Sequence, residues 1–416
     1  MNQLILENKN GVKFYYDSVN NKISTKINSE NNLRKQIFPK IIEDENYQLN
    51  ITNARQQLVL SVTENCNLRC TYCIYHDDRY TNEEWNHNNQ LSFENAKKAI
   101  DLFLNNSTLV TTRYISFYGG EPLLNFKLIR KCIAYVENNN RFHNVKFTMT
   151  TNALLLKDKI LNCLISYDVL INVSLDGAKD IHDRYRVDRN KSPSFDIIIA
   201  NLLYIKKTHK NYFDKNITFS SVVAPPVNKK SLLDYLEILQ QEVTLNDIDI
   251  TKHMNTYMKN NNISNITELD EKIDIDSYPK LMGAQKQKYL KVLNILEEKE
   301  NYTYIPGGYC IPLLKKTFVS TDGKYYICEK FHQIEENSYG DINSDINIKK
   351  IYFLTKKIKN FMNSNCNRCW ASRFCDLCHV HLSENNISKK CDNIRAEYIN
   401  ILKMLIENNL VGVKEL

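Results

Sequence analysis

The chain has 416 residues, 43% of them hydrophobic and 25% charged, which is enough for two or three domains around a buried core. Its net charge of +7 comes from lysines scattered among Asp and Glu, so it reads as a solvated surface with no nucleic-acid partner. No apolar run reaches the roughly 18 residues of a membrane span. The start, MNQLILENKNGVKFYYD, lacks the basic-then-apolar pattern of a secretory signal, so the expectation is a cytoplasmic protein with no membrane partner.

Residues 1–52 read as a small β-rich segment: GVKFYYD and VNNKIST alternate like two arms of a hairpin. From residue 53 to 250 the rhythm changes to strand–helix steps. The spacing predicts strands at 57–63, 112–120, 145–152, 169–177, 216–226 and 245–251. Helices are predicted between them at 93–106, 125–139, 157–167, 194–208 and 230–241. That alternation implies an α/β fold with parallel strands and right-handed crossovers, and six steps make a partial (β/α)6 barrel. Residues 251–306 read as a linker or helical insertion with a helix at 284–299. Residues 307–416 form a cysteine-rich C-terminal section with strand pairs such as KTFVSTDGKYYIC and a helix from 395.

Twelve cysteines in a reducing compartment point to metal or redox work and away from disulfides. Cys132 and Cys163 sit among apolar residues at helical spacing and read as buried structural thiols. The other ten fall in two groups. Cys66, Cys70 and Cys73 follow the first strand of the alternating region. Cys310, Cys328, Cys366, Cys369, Cys375, Cys378 and Cys391 lie in the last quarter.

Ligands of parallel α/β folds bind at the carboxyl ends of the strands. TENCNLRCTYC, YGGEP, TTN and SLDG each end one of the first four strands, so four motifs share one rim. Three thiolates hold three corners of a [4Fe–4S] cube and leave one iron open, the mark of a catalytic metal site. The competing reading is a zinc loop with a remote fourth ligand. His76, Asp77 and Asp78, just after the third cysteine, read as loop polarity.

CNLRCTYC resembles the signature of the radical S-adenosylmethionine superfamily, and GGEP resembles its second motif. The resemblance covers about residues 55–250. It implies that Cys66, Cys70 and Cys73 carry a [4Fe–4S] cluster and that S-adenosylmethionine chelates the open iron. It also implies that Tyr72 packs near the adenine. Gly119 and Gly120 would let the backbone approach the cofactor, and Glu121 would receive the methionine ammonium. Ser174 and Arg186 match positions that hold the ribose or carboxylate end of the cofactor, and Asn152 is a further candidate contact.

The second cysteine group resembles the SPASM extension of the same superfamily. There the resemblance implies two auxiliary clusters, making three [4Fe–4S] clusters in all. Cys366, Cys369, Cys375 and Cys391 would fill one completely. Cys310, Cys328 and Cys378 would hold the other through three cysteines. One departure is local: Cys375 and Cys378 are separated by two residues where the usual pattern has three. Two zinc sites are the rival. Glu329 takes the place of an aspartate that accepts a proton in sulfatase-maturating relatives, so it is the candidate catalytic residue.

The resemblance therefore implies an oxidoreductase that cleaves S-adenosylmethionine to a 5′-deoxyadenosyl radical and modifies a ribosomally made precursor peptide. Thioether cross-linking from a Cys is the first expectation. Sulfatase maturation to formylglycine, or another cross-linking or epimerising reaction on a peptide, is the alternative. A non-catalytic iron–sulfur electron-transfer protein is the alternative of another class, against which YGGEP and SLDG argue. The implied partners are the precursor peptide and an electron donor such as a ferredoxin or flavodoxin. The 52 residues before the barrel are short for a winged-helix leader-binding domain.

Overall fold

The computed structural model describes residues 3–18, 21–26, 55–73, 75, 88–139, 141–223, 243–247, 291–297, 313, 316–330, 335–379 and 387–407. They divide into two compact units, one of residues 53–286 with 316–346, the other of 1–52, 287–315 and 347–416.

The N-terminal strands β1 (Gln3–Glu7), β2 (Lys13–Asp17) and β3 (Lys22–Ser24) form an antiparallel sheet of their own. The larger unit begins with β4 (Gln57–Thr63). β5 (Arg113–Gly119), β6 (Val145–Thr151), β7 (Leu170–Ser174), β8 (Ile217–Val223) and β9 (Val243–Asp247) follow it, each parallel to the one before. β4 reads QLVLSVT and is buried from its second residue onward. A strand covered on both faces has no polar alternation to keep, which is why it is a continuous apolar run.

Helices α1 (Phe93–Asn106), α2 (Phe126–Glu137) and α3 (Asp158–Ser166) cross between the strands. Ser92 caps α1 by accepting the Asn95 amide at 3.1 Å. Its inward stripe is Ala96, Ala99, Ile100, Phe103 and Leu104, spaced as one helical face. Cys132 on α2 is fully buried, as expected of a structural thiol, whereas Cys163 on α3 is only half-buried. Two short helices not foreseen in the sequence, α4 (Lys179–Tyr185) and α6 (Lys210–Asn216), flank α5 (Phe195–Thr208).

The hairpin β10 (Lys316–Val319) and β11 (Tyr325–Tyr326) reads from the sequence as part of the cysteine-rich section. Instead β10 lies parallel to β4 and extends the large sheet, whose order is β11-β10-β4-β5-β6-β7-β8-β9. A small antiparallel pair, β12 (Gly340–Asp341) with β13 (Asp345–Ile346), completes this unit.

In the second unit Leu6, Phe14, Tyr16 and Ile23 of β1–β3 share a core with Trp370, Phe374, Tyr398 and Leu402. Tyr16 packs against Phe374 at 5.2 Å with the rings tilted by 35° and meets Trp370 edge-on at 6.4 Å. Val292 and Ile295, from a helical stretch at 291–296, join the same core. Helices α7 (Ile348–Asn365) and α8 (Ile387–Glu407) flank the segment with Cys366, Cys369, Cys375 and Cys378, and α8 itself carries Cys391. The helix expected at 230–241 and most of the insertion at 251–306 lie outside the described residues.

Candidate functional site

The rim at the carboxyl ends of β4 to β7 is built by backbone contact. Gly120 N–H donates to Thr63 O at 2.8 Å and Glu121 N–H to Asn65 O at 2.8 Å, so the GGEP turn lies directly on the chain entering the cysteine loop. A Cβ on Gly119 would stand 2.1 Å from Thr63 O, and one on Gly120 would stand 2.4 Å from Asn65 O. The close approach these glycines allow is thus to the end of β4 and the chain that follows it into the cysteine loop.

Glu121 is fully buried and its carboxylate is well used. It accepts from Thr151 Oγ1 at 2.7 Å, Asn152 N at 2.8 Å and Leu123 N at 3.1 Å. Burial raises its pKa, and these hydrogen bonds oppose the rise. Three of about four acceptor positions are filled, leaving one for a ligand. Asn152 donates to Asn67 Oδ1 at 2.7 Å, tying the end of β6 to the cysteine loop.

On the other side the loop is sewn to the end of α4. Arg69 N–H donates to Val187 O at 2.6 Å and Thr71 N–H to Tyr185 O at 3.0 Å. This brings Tyr72 against Arg186, whose Nη1 donates to the Tyr72 hydroxyl at 2.6 Å. That hydroxyl in turn donates to Asp176, a buried carboxylate 3.6 Å from Arg186 Nη1 that also accepts Val222 N–H at 3.0 Å. Asp176 lies inside SLDG yet has no place among the sequence candidates. Its signal is its position, two residues past Ser174 at the end of β7.

The three thiols sense one another. Burial pushes Cys66 and Cys73 up to about 12. For Cys66, the Glu121 carboxylate and then the Cys70 and Cys73 sulfurs add to the rise. For Cys73 the Cys70 sulfur adds to it. Cys70 is raised by burial and opposed by Arg186. Thiols that repel one another when ionised are stabilised by a shared cationic group. Arg186 stays charged: desolvation opposes the charge, and Tyr72, Cys70 and Asp176 outweigh it. Arg186 Nε and Arg69 Nη2 are buried without a hydrogen-bond partner among the described residues, two donors free for an anionic ligand group.

A second neighbourhood joins this loop within the same unit. Thr321 in the β10–β11 turn donates to Glu64 Oε1 at 2.5 Å, and Asn89 Nδ2 donates to its Oε2 at 3.0 Å. The hairpin thereby brings Cys328 and Glu329 to the electrostatic neighbourhood of Cys73, Tyr75 and Tyr118. Glu329 is held by Lys316 Nζ at 2.7 Å. Desolvation would raise its pKa, but the charge and hydrogen bond of Lys316 prevail and lower it. Tyr75 and Tyr118, both raised first by burial, are further residues the sequence reading did not single out.

The second unit gathers four cysteines. Cys366 caps the C-terminus of α7, Cys369 opens the short helical turn Trp370–Arg373, Cys375 follows that turn and Cys391 is on α8. Cys366 is pushed up to about 12 by burial and then by Cys375, Cys369 and Cys391. Arg395 Nη1 lies 4.0 Å from Cys369 Sγ. Of the expected three-cysteine group, Cys328 and Cys378 are half-buried in different units and Cys310 lies outside the described residues, as do His76, Asp77 and Asp78. Among the described residues no group of three or more His, Cys, Asp or Glu side chains is placed so as to hold a metal ion.

A parallel α/β sheet with a three-cysteine loop at its ligand-binding rim defines the class. Residues 60–239 match the profile of the Radical SAM superfamily, and the chain carries a radical SAM domain. It is 28% identical over 300 residues to an uncharacterised protein of Methanocaldococcus jannaschii, covering 72% of this chain and 93% of that one. It is 26% identical over 340 residues to a cysteine-type anaerobic sulfatase-maturating enzyme of Clostridium novyi, covering 79% and 87%. A solved structure of anSMEcpe with bound AdoMet and the Cp18Cys peptide shares the fold at a TM-score of 0.61 and 18% identity, covering 86% of this chain and 99% of that one.

Proposed function

We propose that the protein is a radical S-adenosylmethionine enzyme, with the sheet of β4 to β9 as a partial barrel and a C-terminal SPASM extension, and that it modifies a peptide. The product we infer is a thioether from a Cys of a ribosomally made precursor. The observation that carries the reading is the cysteine loop itself, latched on one side to Tyr72, Asp176 and Arg186 and on the other to Glu121 and Asn152. The similarity to a sulfatase-maturating enzyme over most of its length supports a peptide or protein substrate.

The residues fit the cofactors. Cys66, Cys70 and Cys73 would hold a [4Fe–4S] cluster with one open iron, the position S-adenosylmethionine would take. Cys366, Cys369, Cys375 and Cys391 would hold a second cluster. When bound, cluster and S-adenosylmethionine supply one-electron cleavage of a carbon–sulfur bond and, through it, hydrogen-atom abstraction from the substrate.

The chain's own residues bind and orient. Arg186 and Arg69 offer their spare N–H groups to the carboxylate of the cofactor's methionine end, a charge-assisted contact. The remaining acceptor position of Glu121 suits the ammonium, while its other bonds fix the rim. Ser174 at the end of β7 suits the ribose or the carboxylate. Tyr118 and Tyr75 share the electrostatic neighbourhood of Cys73, where their hydroxyls stay protonated. Glu329, kept ionised by Lys316, is poised to take a proton from the substrate.

The similarity over 87% of a sulfatase-maturating enzyme favours formylglycine formation as the second reading. One experiment separates them. The iron-loaded protein is given S-adenosylmethionine, a reductant and a Cys-containing precursor, and the peptide is weighed by mass spectrometry. A thioether keeps its sulfur and loses two hydrogen atoms. Formylglycine loses the sulfur. Absence of 5′-deoxyadenosine under all conditions would leave an iron–sulfur electron carrier as the better account.

A further inference from the structure

From Asn347 to Cys375 the chain carries five lysines and two arginines and no carboxylate. All five lysines are on α7, the helix that ends at Cys366. Lys349, Lys350, Lys356 and Lys357 are exposed, and none of them forms an ion pair among the described residues. Helix stability does not account for them. Lys349 and Lys350 sit in the first turn, where the helix dipole disfavours cations. Lys356 and Lys359 are like charges three residues apart on one face. Among these lysines Tyr352 and Phe353 are 55% and 68% exposed, a small apolar centre inside a cationic field.

We infer that the outer face of α7 docks an acidic ferredoxin, which exchanges single electrons with the four-cysteine group at the end of that helix. The inference rests on the reading of Cys366, Cys369, Cys375 and Cys391 as iron–sulfur ligands and names the partner that group serves. Charge complementarity picks the occupant: a lysine-bearing helix with no carboxylate of its own fits a carrier whose contact surface is acidic. Lys356 lies ten residues before Cys366, about 15 Å along the helix axis, so a protein seated on the second half of α7 reaches the cysteine group. Cys366 and Cys391 are themselves only half-buried, which leaves that group near the surface. In the transfer the reduced ferredoxin loses one electron and the cluster gains it. No proton moves and no bond is made or broken. Transient redox encounters need only a small interface, and a few exposed lysines around two aromatic rings suit one.

The test uses the full, iron-loaded chain and a strongly acidic plant-type [2Fe–2S] ferredoxin as probe. Binding is titrated at about 50 and about 500 mM salt, on either side of the regime where the Debye length is about 10 Å. The wild-type protein should bind at low salt and lose at least about tenfold in affinity at high salt. The variant Lys349→Glu, Lys350→Glu, Lys356→Glu, Lys357→Glu should bind at least about tenfold more weakly at low salt. With dithionite in place of ferredoxin, it should still cleave S-adenosylmethionine at the wild-type rate. Should charge reversal unfold the helix, the milder pair Lys356→Gln with Lys357→Gln must give a smaller loss in the same direction. Unchanged ferredoxin affinity in both variants overturns the inference. So does binding of a flavodoxin alone, or lysine-dependent binding of phosphatidylserine vesicles with no effect on ferredoxin. Failure of dithionite-driven cleavage in the wild type strikes the enzymatic reading instead and leaves the binding comparison standing.

Discussion

Arg186 Nη1 donates to the Tyr72 hydroxyl at 2.6 Å while Asp176, 3.6 Å from the same nitrogen, accepts from that hydroxyl. The three residues come from the cysteine loop, the segment after β7 and the end of α4, and they close as one unit. Removing one member of a buried charge pair leaves the other uncompensated, at a cost of about 3–5 kcal/mol. Asp176→Asn and Arg186→Gln should therefore each lower stability in urea denaturation, and the double variant should lose less than their sum. A coupling of about 0.5–3 kcal/mol is expected. Strict additivity would mean that the contact is incidental.

Gly119 and Gly120 hold β5 against the chain leading to Cys66. Alanine at either position meets a backbone carbonyl, at 2.1 or 2.4 Å, with no flexible side chain to give way. The Gly120→Ala protein should thus resemble the Cys66→Ala, Cys70→Ala, Cys73→Ala protein. Both should lose about four irons per chain, one cubane's worth, and with them 5′-deoxyadenosine production. The spectrum of the four-cysteine group should persist in each. Full iron content in Gly120→Ala would show that the rim can shift without disturbing the loop.

The strand–helix alternation was legible because β4 is an apolar run, β6 and β7 alternate between buried and half-buried positions, and helices such as α1 carry a clear inward stripe. Three features were not. α4 and α6 span only seven residues each, less than the window over which a helical period can be told from chance. The pairing of β10 with β4 joins residues some 260 positions apart, such as Phe318 with Val59, and no local pattern carries such a partner. α7 escaped notice since its lysines and exposed rings mask the buried stripe of Leu354, Ile358 and Met362. In the site, the residue types were readable and their duties were less so. GGEP lies where the motif predicts, but its glycines meet the end of β4 and the chain that follows it. Asp176, inside a quoted motif, became visible only through its partners.

His182 braces the same region. Its Nδ1 accepts Asp176 N–H at 3.3 Å and its Nε2 donates to Ser194 Oγ at 2.9 Å, which donates to Arg186 O at 2.7 Å. Burial first, then the Arg186 charge, push its pKa down from 6.5 to about 3. The folded protein keeps this ring neutral while the unfolded chain protonates it below pH 6.5. The unfolded state then binds more protons, so the stability present above pH 6.5 is lost as pH falls toward 3. The slope for this one group is about 1.4 kcal/mol per pH unit. Urea titrations between those limits should show that slope in the wild type and a shallower one in His182→Gln. Equal slopes would assign the acid sensitivity to other groups.

Glu329 sits between two roles that a single substitution can tell apart. Its Oε2 is 2.7 Å from Lys316 Nζ, and both side chains keep some solvent exposure, 22% and 32%, so the pair contributes about 1 kcal/mol or less to stability. If the pair is only structural, Glu329→Gln and Lys316→Met should cost similar small amounts and leave peptide turnover intact. If Glu329 accepts a proton from the substrate, Glu329→Gln removes the acceptor and keeps the shape. Product formation should then fall by about 10²–10⁴-fold, the usual share of a positioned base. Production of 5′-deoxyadenosine should continue, because Glu121, Arg69 and Arg186, the residues proposed to hold the cofactor, are untouched. Lys316→Met should do less harm: it frees a carboxylate that is then more basic, and the proton still has somewhere to go. The decisive measurement is the ratio of 5′-deoxyadenosine to modified peptide. A ratio that rises steeply in Glu329→Gln and little in Lys316→Met assigns the proton to Glu329, whereas equal ratios in the two variants confine it to pairing with the lysine.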